Sequence, residues 1–205
     1  LKLKDLIVLN LNPTTAPEKV VWASSPELQW NDLPNVGLQG DAYFRPMQTQ
    51  GDWIDYTGCV MSIDPSGKGA DETAYAITKI LNGNIYLVAS GGFNAGYTDY
   101  VLDRITLLAK KHKVNKILIE DNFGQGMFEA LLKPYLTLEP LLTQHRLVID
   151  AKVIKADYEE TNSIYSTERA LRYQLMYQMS RIQYGANTLI QDDRLDALQM
   201  CCNYW

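Results

Sequence analysis

Histidine and cysteine are scarce in this 205-residue sequence, and their arrangement excludes several kinds of site. The two histidines, His112 and His145, do not stand at the spacing of a metal-ligand pair. The three cysteines, Cys59, Cys201 and Cys202, include no CxxC pair. This pattern argues against a disulfide framework and a zinc site, and it suits a reducing compartment. Any metal site must therefore be built from carboxylates.

Long apolar runs and an excess of basic residues are also absent. No run reaches the ~18 apolar residues that a transmembrane helix needs. The formal net charge is −5, whereas proteins that bind nucleic acid usually carry a basic footprint. This argument against nucleic acid is weak, because an acidic metal site lowers the total charge while local basic patches persist.

A nucleotide-binding loop is missing as well, although the stretch "SIDPSGKGADETA" (residues 62–74) contains a Gly-Lys pair. A P-loop requires G-x-x-x-x-G-K-[ST]. Here Ser62 stands five positions before Gly67, and Gly69 follows Lys68. No G-x-G-x-x-G motif occurs either. We therefore expect no ATP hydrolysis by this chain.

The segment 1–55 differs in composition from the rest of the sequence. It has few periodic segments, which predicts a linker or an arm lying over another surface, followed by one domain over residues 56–205. The segment includes Pro13, Pro17, Pro26, Pro34, Trp22 and Trp30.

From residue 57 onward, the hydrophobic pattern predicts alternating strands and helices. Asn82-Gly83-Asn84 indicates a tight hairpin turn. The fourth strand is an apolar run, which suits a central strand covered on both faces. The order β-β-β-α-β-α-β-α-α implies an α/β fold with a mixed sheet flanked by helices, which is the order of the ribonuclease H-like fold. Strands are predicted at 57–64, 71–81, 85–90, 114–121 and 145–150, and helices at 97–113, 123–136, 166–185 and 191–205.

Three acidic clusters stand at the ends of predicted elements. Each alone has an ordinary explanation, because aspartate favours turns and acids favour helix N-termini. Together they supply the oxygen ligands that Mg²⁺ and Mn²⁺ prefer, and two such ions can cleave a phosphodiester without histidine. The clusters are Asp64 after the first strand, Glu120 and Asp121 after the fourth, and Asp192, Asp193 and Asp196 in the first turn of the last helix.

The strings "SIDPSGKGADETAYAI", "ILIEDNFGQGMFEALLKP" and "DDRLDAL", in this order, resemble the C-terminal nuclease domain of the large terminase subunit of tailed bacteriophages, especially short-tailed coliphages. The resemblance covers roughly residues 57–205. It implies a ribonuclease H-like fold and a Mg²⁺- or Mn²⁺-dependent endonuclease that cuts concatemeric double-stranded DNA during genome packaging in the host cytoplasm. It also implies an upstream ATPase motor domain, to which residues 1–55 would lead, an oligomeric motor, and the portal, procapsid and small terminase subunit as partners.

The resemblance assigns the catalytic metal ligands residue by residue. Asp64, Glu120 and Asp193 match the family's three acids, and Asn122 supports the match of Glu120. Gln191 stands where many members carry histidine, which leaves the role of that position open. Further candidate ligands are Asp71, Asp121, Asp192 and Asp196. Candidate DNA contacts are Lys68, Arg169 and Arg172, with plain surface charge as the alternative.

Two other functions stay open at this point. A Holliday-junction resolvase or an integrase-like nuclease would share the fold, although a more basic surface would be expected. A docking module of the packaging motor, which holds DNA or the portal, would use the aromatic arm and the C-terminal "CCNYW".

Overall fold

Strands from both halves of the chain form one six-stranded mixed sheet in the computed structural model, which describes residues 1–65, 72–94, 98–119, 138, 140–181 and 191–205. The strands are β1 (Ile7–Leu9), β2 (Thr15–Val21), β3 (Gln48–Asp55), β4 (Gly58–Asp64), β5 (Thr73–Leu81), β6 (Asn84–Phe93), β7 (Lys116–Ile119) and β8 (Leu147–Asp150). The helices are α1 (Asp99–His112), α2 (Ala151–Ile164), α3 (Thr167–Tyr173), α4 (Leu175–Arg181) and α5 (Asp193–Tyr204).

The sheet has the order β1-β8-β6-β5-β4-β7. β4, β5 and β6 form an antiparallel meander, and β7, β8 and β1 add to it in parallel. Asn82 and Gly83 have φ angles of 49° and 78° between β5 and β6, as the predicted tight turn requires. The predicted mixed sheet of a ribonuclease H-like fold is therefore confirmed.

Helices cover both faces of the sheet. On one face, α5 and α2 pack in a core that includes Val60 and Ala76. On the other face, α1 packs through Ile105 and Leu108 against Met61 and its neighbours. In the described residues, no helix is long and apolar enough to cross a membrane.

The segment 1–55 is packed into the domain. Strand β1 pairs in parallel with β8, and Leu3, Leu6 and Val8 are fully buried in the main core. Strands β2 and β3 form a separate antiparallel ribbon. The sequence pattern assigned no strands to this segment, whereas the structure forms three there, because hydrophobic burial uses these short strands even though prolines interrupt their pattern. The interpretation of residues 1–55 as a linker or an arm stays a prediction.

The apolar strand β7 is not central among the described strands. It pairs with β4 at the end of the sheet order, and Ile117 and Ile119 are 43% and 63% exposed. The expectation of a central strand with both faces covered is wrong for these residues. An apolar run shows only that the side chains are hydrophobic. The place of a strand in the sheet depends on its pairing with distant segments of the chain.

The predicted long helix over 166–185 is divided at Gln174, which has an extended ψ of 126°. Its side chain donates to Thr161 Oγ1 at 2.9 Å, so a tertiary hydrogen bond accompanies the break. Helix α2 was not predicted; Asp150 caps it by accepting from Lys152 N at 3.0 Å. The predicted helix over 123–136 lies outside the described residues.

Candidate active site

Asp64 is the last residue of β4. It lies at the edge of the sheet that is formed by the C-terminal ends of the parallel strands β4 and β7. It lies opposite Ala74 of β5, and Ile63 before it lies opposite Ile119 of β7. The side chain of Asp64 is half-buried. Glu120 is next in the chain after Ile119 and lies outside the described residues, as do Asp121, Asp71 and Lys68.

Helix α5 runs along β4 in the opposite direction. Ser62 Oγ donates to Cys201 Sγ at 2.7 Å, and Trp205 Nε1 donates to Thr78 Oγ1 at 3.1 Å. Thr78 lies opposite Val60 in the β4–β5 pair. The end of α5 therefore lies near the beginning of β4, and its first turn lies toward the edge that carries Asp64.

A buried arginine fixes the first turn of α5 at this edge. Arg194 Nε and Nη2 donate to the two carboxylate oxygens of Glu72 at 2.7 and 3.3 Å. Its Nη1 donates to Asp157 Oδ1 of α2 at 2.6 Å. Glu72 directly precedes β5, whose second residue Ala74 pairs with Asp64. The ion-pair cluster therefore ties α5, α2 and the start of β5 together.

The electrostatics of the cluster follow from its burial. Burial disfavours the charged form of Arg194, but Asp157 and Glu72 outweigh it and raise the pKa of the guanidinium above its ordinary value. Burial raises the pKa of the Asp157 carboxyl, and Arg194 opposes that rise. A Cβ on Gly92 would clash with the Glu72 carboxyl, so this position of β6 favours glycine.

The first turn of α5 thus brings its acids to the edge that holds Asp64. Asp192, Asp193 and Asp196 are all half-buried there. Within the described residues, no group of three or more His, Cys, Asp or Glu side chains is close enough to hold a metal ion. The predicted set of three acids includes Glu120, which lies outside the described residues, so the predicted ligand set stays a prediction.

Both histidines lie at the opposite edge of the sheet. Strands β4, β6, β7 and β8 run in the same direction. His112 ends α1 shortly before β7 begins, and His145 stands shortly before β8 begins. Asp64 lies where β4 ends. Neither histidine therefore lies at the edge with the acidic residues.

Arg169 and Arg172 both lie on α3 but have different surroundings. The rings of Tyr165 and Tyr173 stack with centroids 4.3 Å apart, and Arg169 Cζ lies 5.0 and 5.9 Å from the two centroids. Arg172 Nη2 lies 3.9 Å from Glu168 Oε1. Burial, and to a smaller extent the negative charge of Glu72, raises the pKa of Tyr165 to about 12. Its hydroxyl therefore stays protonated at neutral pH.

Sequence reasoning missed Glu72, Asp157 and Arg194, which position the candidate site. The available signal was Arg194 itself, a cation within the acidic string "DDRLDAL". Nothing in the local pattern pairs it with Glu72 or Asp157, which are 122 and 37 residues away in sequence.

Two solved nuclease domains show partial structural similarity to this chain. The human cytomegalovirus terminase nuclease domain matches with a TM-score of 0.48 and 12% identity, over 73% of this chain and 84% of that chain. The nuclease domain of the large terminase subunit gp2 of bacterial virus Sf6, in a structure with manganese and beta-thujaplicinol, matches with a TM-score of 0.43 and 13% identity. That match covers 73% of this chain and 90% of the Sf6 chain.

Sequence comparison gives a stronger relationship. The large terminase subunit of Enterobacteria phage T3 is 37% identical over 226 residues, which cover 98% of this chain and 38% of that protein. This chain therefore spans well under half of the relative's length. Residues 63–162 match the family described as Terminase Bacteriophage T7, Ribonuclease H-like domain. The chain belongs to this family of terminase ribonuclease H-like domains.

Proposed function

We propose that this chain is a divalent-metal-dependent endonuclease domain that cuts concatemeric double-stranded DNA during packaging of a phage genome. The observation that carries the proposal is the position of α5. Its contacts from Cys201 to Ser62 and from Arg194 to Glu72 direct its acidic first turn to the edge where Asp64 ends β4. Acids that are far apart in sequence are thereby collected at one edge.

The metal would be Mg²⁺ or Mn²⁺, and we propose two ions. The donors at this edge are hard carboxylate oxygens, which suit these ions. We assign Asp64, Glu120 and Asp193 as ligands, with Glu120 chosen because it directly follows Ile119, the residue opposite Ile63. When bound, such ions neutralise charge on a phosphate and lower the pKa of a water molecule. Alternative or additional ligands are Asp71, Asp121, Asp192 and Asp196.

The protein's own contribution is to hold these carboxylates in place before DNA arrives. Asp64 ends a strand that is paired on both sides. Asp193 is adjacent to Arg194, whose side chain is anchored at two points. Rigidly held carboxylates would fix the position of the bound cations, so that little reorganisation is needed as negative charge develops on the phosphate. The base that accepts a proton here is not histidine, since both histidines lie at the opposite edge.

The proposal for the whole protein goes further than this chain. The relative from phage T3 is a large terminase subunit, and this chain matches 38% of it. We propose that an ATPase motor domain lies upstream, that residues 1–55 lead from it and pack against the nuclease domain predicted at residues 56–205, and that the motor is oligomeric. Its partners would be double-stranded DNA, the portal and procapsid, and the small terminase subunit, in the host cytoplasm.

Nicking of supercoiled plasmid with Mn²⁺ tests the proposal. We expect Asp64→Ala, Glu120→Ala and Asp193→Ala each to lower the rate ~100-fold or more, because each removes a metal ligand. Asp103→Ala, which removes an exposed carboxylate from α1, is the matched control and should retain the wild-type rate. Full activity in Asp64→Ala would rule out the assignment of this residue.

The substrate separates the proposal from its rivals. Linear and branched duplexes of equal length should be cut at similar rates by a packaging nuclease, whereas a strong preference for four-way junctions would favour a resolvase. Wild-type protein that binds DNA and portal but cuts with neither ion would favour a docking module.

A further inference from the structure

We infer that Arg169, held over the stacked rings of Tyr165 and Tyr173, contacts a DNA backbone phosphate a few nucleotides from the scissile one. The inference rests on the proposed nuclease function. It adds a specific strand-positioning residue to that function and separates Arg169 from the other arginine on the same helix.

The guanidinium of Arg169 is oriented before any ligand binds. Tyr165 and Tyr173 stack with an interplanar angle of 11°, and the guanidinium lies within 6 Å of both ring centroids, the range of a cation–π contact. The rings are themselves fixed, because Tyr173 is buried and Tyr165 Oη donates to Asn94 Oδ1 at 2.5 Å. An ordered, exposed arginine loses less side-chain freedom on binding than a mobile one.

Arg169 is also anchored near the proposed site. Asn94 directly follows β6, and Gly92 two residues earlier lies opposite Ala74, which lies opposite Asp64. The hydrogen bond from Tyr165 to Asn94 therefore anchors Arg169 at the edge of the sheet that carries Asp64. The ends of β4 and β6 are two strand spacings apart, or about 10 Å. Arg169 lies beyond this anchor, on the far side of the Tyr165 ring. Because phosphates on one DNA strand follow each other at about 3.4 Å of helix rise, Arg169 would contact a phosphate a few nucleotides from the scissile one.

The charge of Arg169 is available to a ligand. Arg169 is exposed, and in the described part of the chain it makes no ion pair. Arg172, one turn away, lies near Glu168, and Arg194 is neutralised by two buried acids. Because the chain carries a net charge of −5, an unneutralised cation beside the acidic site is valuable for binding a polyanion. The planar guanidinium fork suits phosphate oxygens.

The test is a binding titration of a fluorescein-labelled 20-base-pair duplex, followed by anisotropy in Ca²⁺ without Mg²⁺ or Mn²⁺. We expect Arg169→Ala to raise the Kd about tenfold and to reduce the slope of log K against log salt by about 0.9, the value for one phosphate contact. Arg172→Ala is the matched control, because it removes the same group from the same helix, and its Kd should change less than twofold.

Two further variants examine the tyrosine platform. Arg169→Lys keeps the charge but loses the planar group, and it should recover only part of the affinity. Tyr165→Phe keeps the ring and loses the bond to Asn94, so it should weaken binding less than Tyr165→Ala does. Thermal unfolding of each variant verifies that the domain is folded.

Equal Kd values for wild type and Arg169→Ala would overturn the inference. Equal losses of DNA affinity in Arg169→Ala and Arg172→Ala would also overturn it, because they would indicate a diffuse effect of charge. Plasmid nicking by the wild type separates this failure from failure of the proposed function. If the wild type cuts and Arg169→Ala binds normally, the nuclease assignment stands and the role of Arg169 does not.

Discussion

Arg194 and Glu72 form a two-pronged ion pair inside the domain, and each side chain is at most 2% exposed. The pair joins the first turn of the last helix to the residue before β5, 122 positions earlier in the sequence. Asp157 completes the cluster from α2. The location of the acidic end of α5 therefore depends on a buried charge cluster that is not itself part of the proposed metal site.

Removal of Arg194 should destabilise the domain strongly. Arg194→Met leaves Glu72 and Asp157 buried without a cation, and breaking a buried pair costs about 3–5 kcal/mol in the free energy of unfolding. Urea unfolding followed by circular dichroism measures this loss. Arg172→Met removes an exposed partner of Glu168 and should cost at most about 1 kcal/mol. Similar values for the two variants would contradict the structural role of the cluster.

Gly92→Ala should displace the Glu72 carboxyl, because the new Cβ would clash with it. Overpacking of this kind costs about 1–3 kcal/mol, and the same unfolding experiment measures it. Ser90→Ala, two residues earlier in β6, is the control, since its buried hydroxyl has no hydrogen-bond partner within the described structure. That variant should be neutral or slightly stabilising.

Mn²⁺ should stabilise the folded domain if the acids at this edge bind it. A ligand that binds only the folded state adds about 2.7 kcal/mol at 100 times its Kd, which calorimetry detects as a rise in Tm. Asp64→Asn should abolish the rise, whereas Asp103→Asn on α1 should keep it. An equal rise in both variants would place the bound ion elsewhere.

His112 should make the domain less stable in mild acid. Burial, reinforced by Lys111 and Lys79, lowers the pKa of His112 to about 4 from 6.5. Between these values the unfolded chain binds a proton that the folded domain does not, so stability falls as pH drops from about 6.5 to about 4. In the His112→Gln variant, the midpoint of urea unfolding should fall less across this pH range than it does in the wild type. His145→Gln is the control, because it retains His112, and its stability should fall across this pH range by as much as that of the wild type.

The three cysteine thiols should be unreactive in the folded domain. All three are buried, and burial raises the pKa of Cys59 to about 11 and raises the pKa values of Cys201 and Cys202. Thiolate is the reactive form, so Ellman's reagent at neutral pH should modify few thiols in native protein and three after unfolding in urea. Rapid modification of the native protein would contradict the packing of α5 against β4.

Local pattern was sufficient for much of the sheet. The alternation from residue 57 predicted β4, β5 and β6, and Asn82-Gly83 predicted the turn between β5 and β6. Strand and hairpin formation depend largely on neighbouring residues. The pattern failed for β1 and for the break at Gln174. Both depend on distant partners, β8 in one case and Thr161 in the other.

The sequence by itself determined that any metal site would be made of carboxylates, since it has two histidines and no cysteine pair at ligand spacing. It also determined which acids stand at the ends of strands and helices. Only the tertiary structure decided that α5 runs back along β4 and that Arg194 holds its first turn against Glu72 and Asp157. The physical reason is that a buried ion pair is selected by three-dimensional proximity, which residue spacing does not encode.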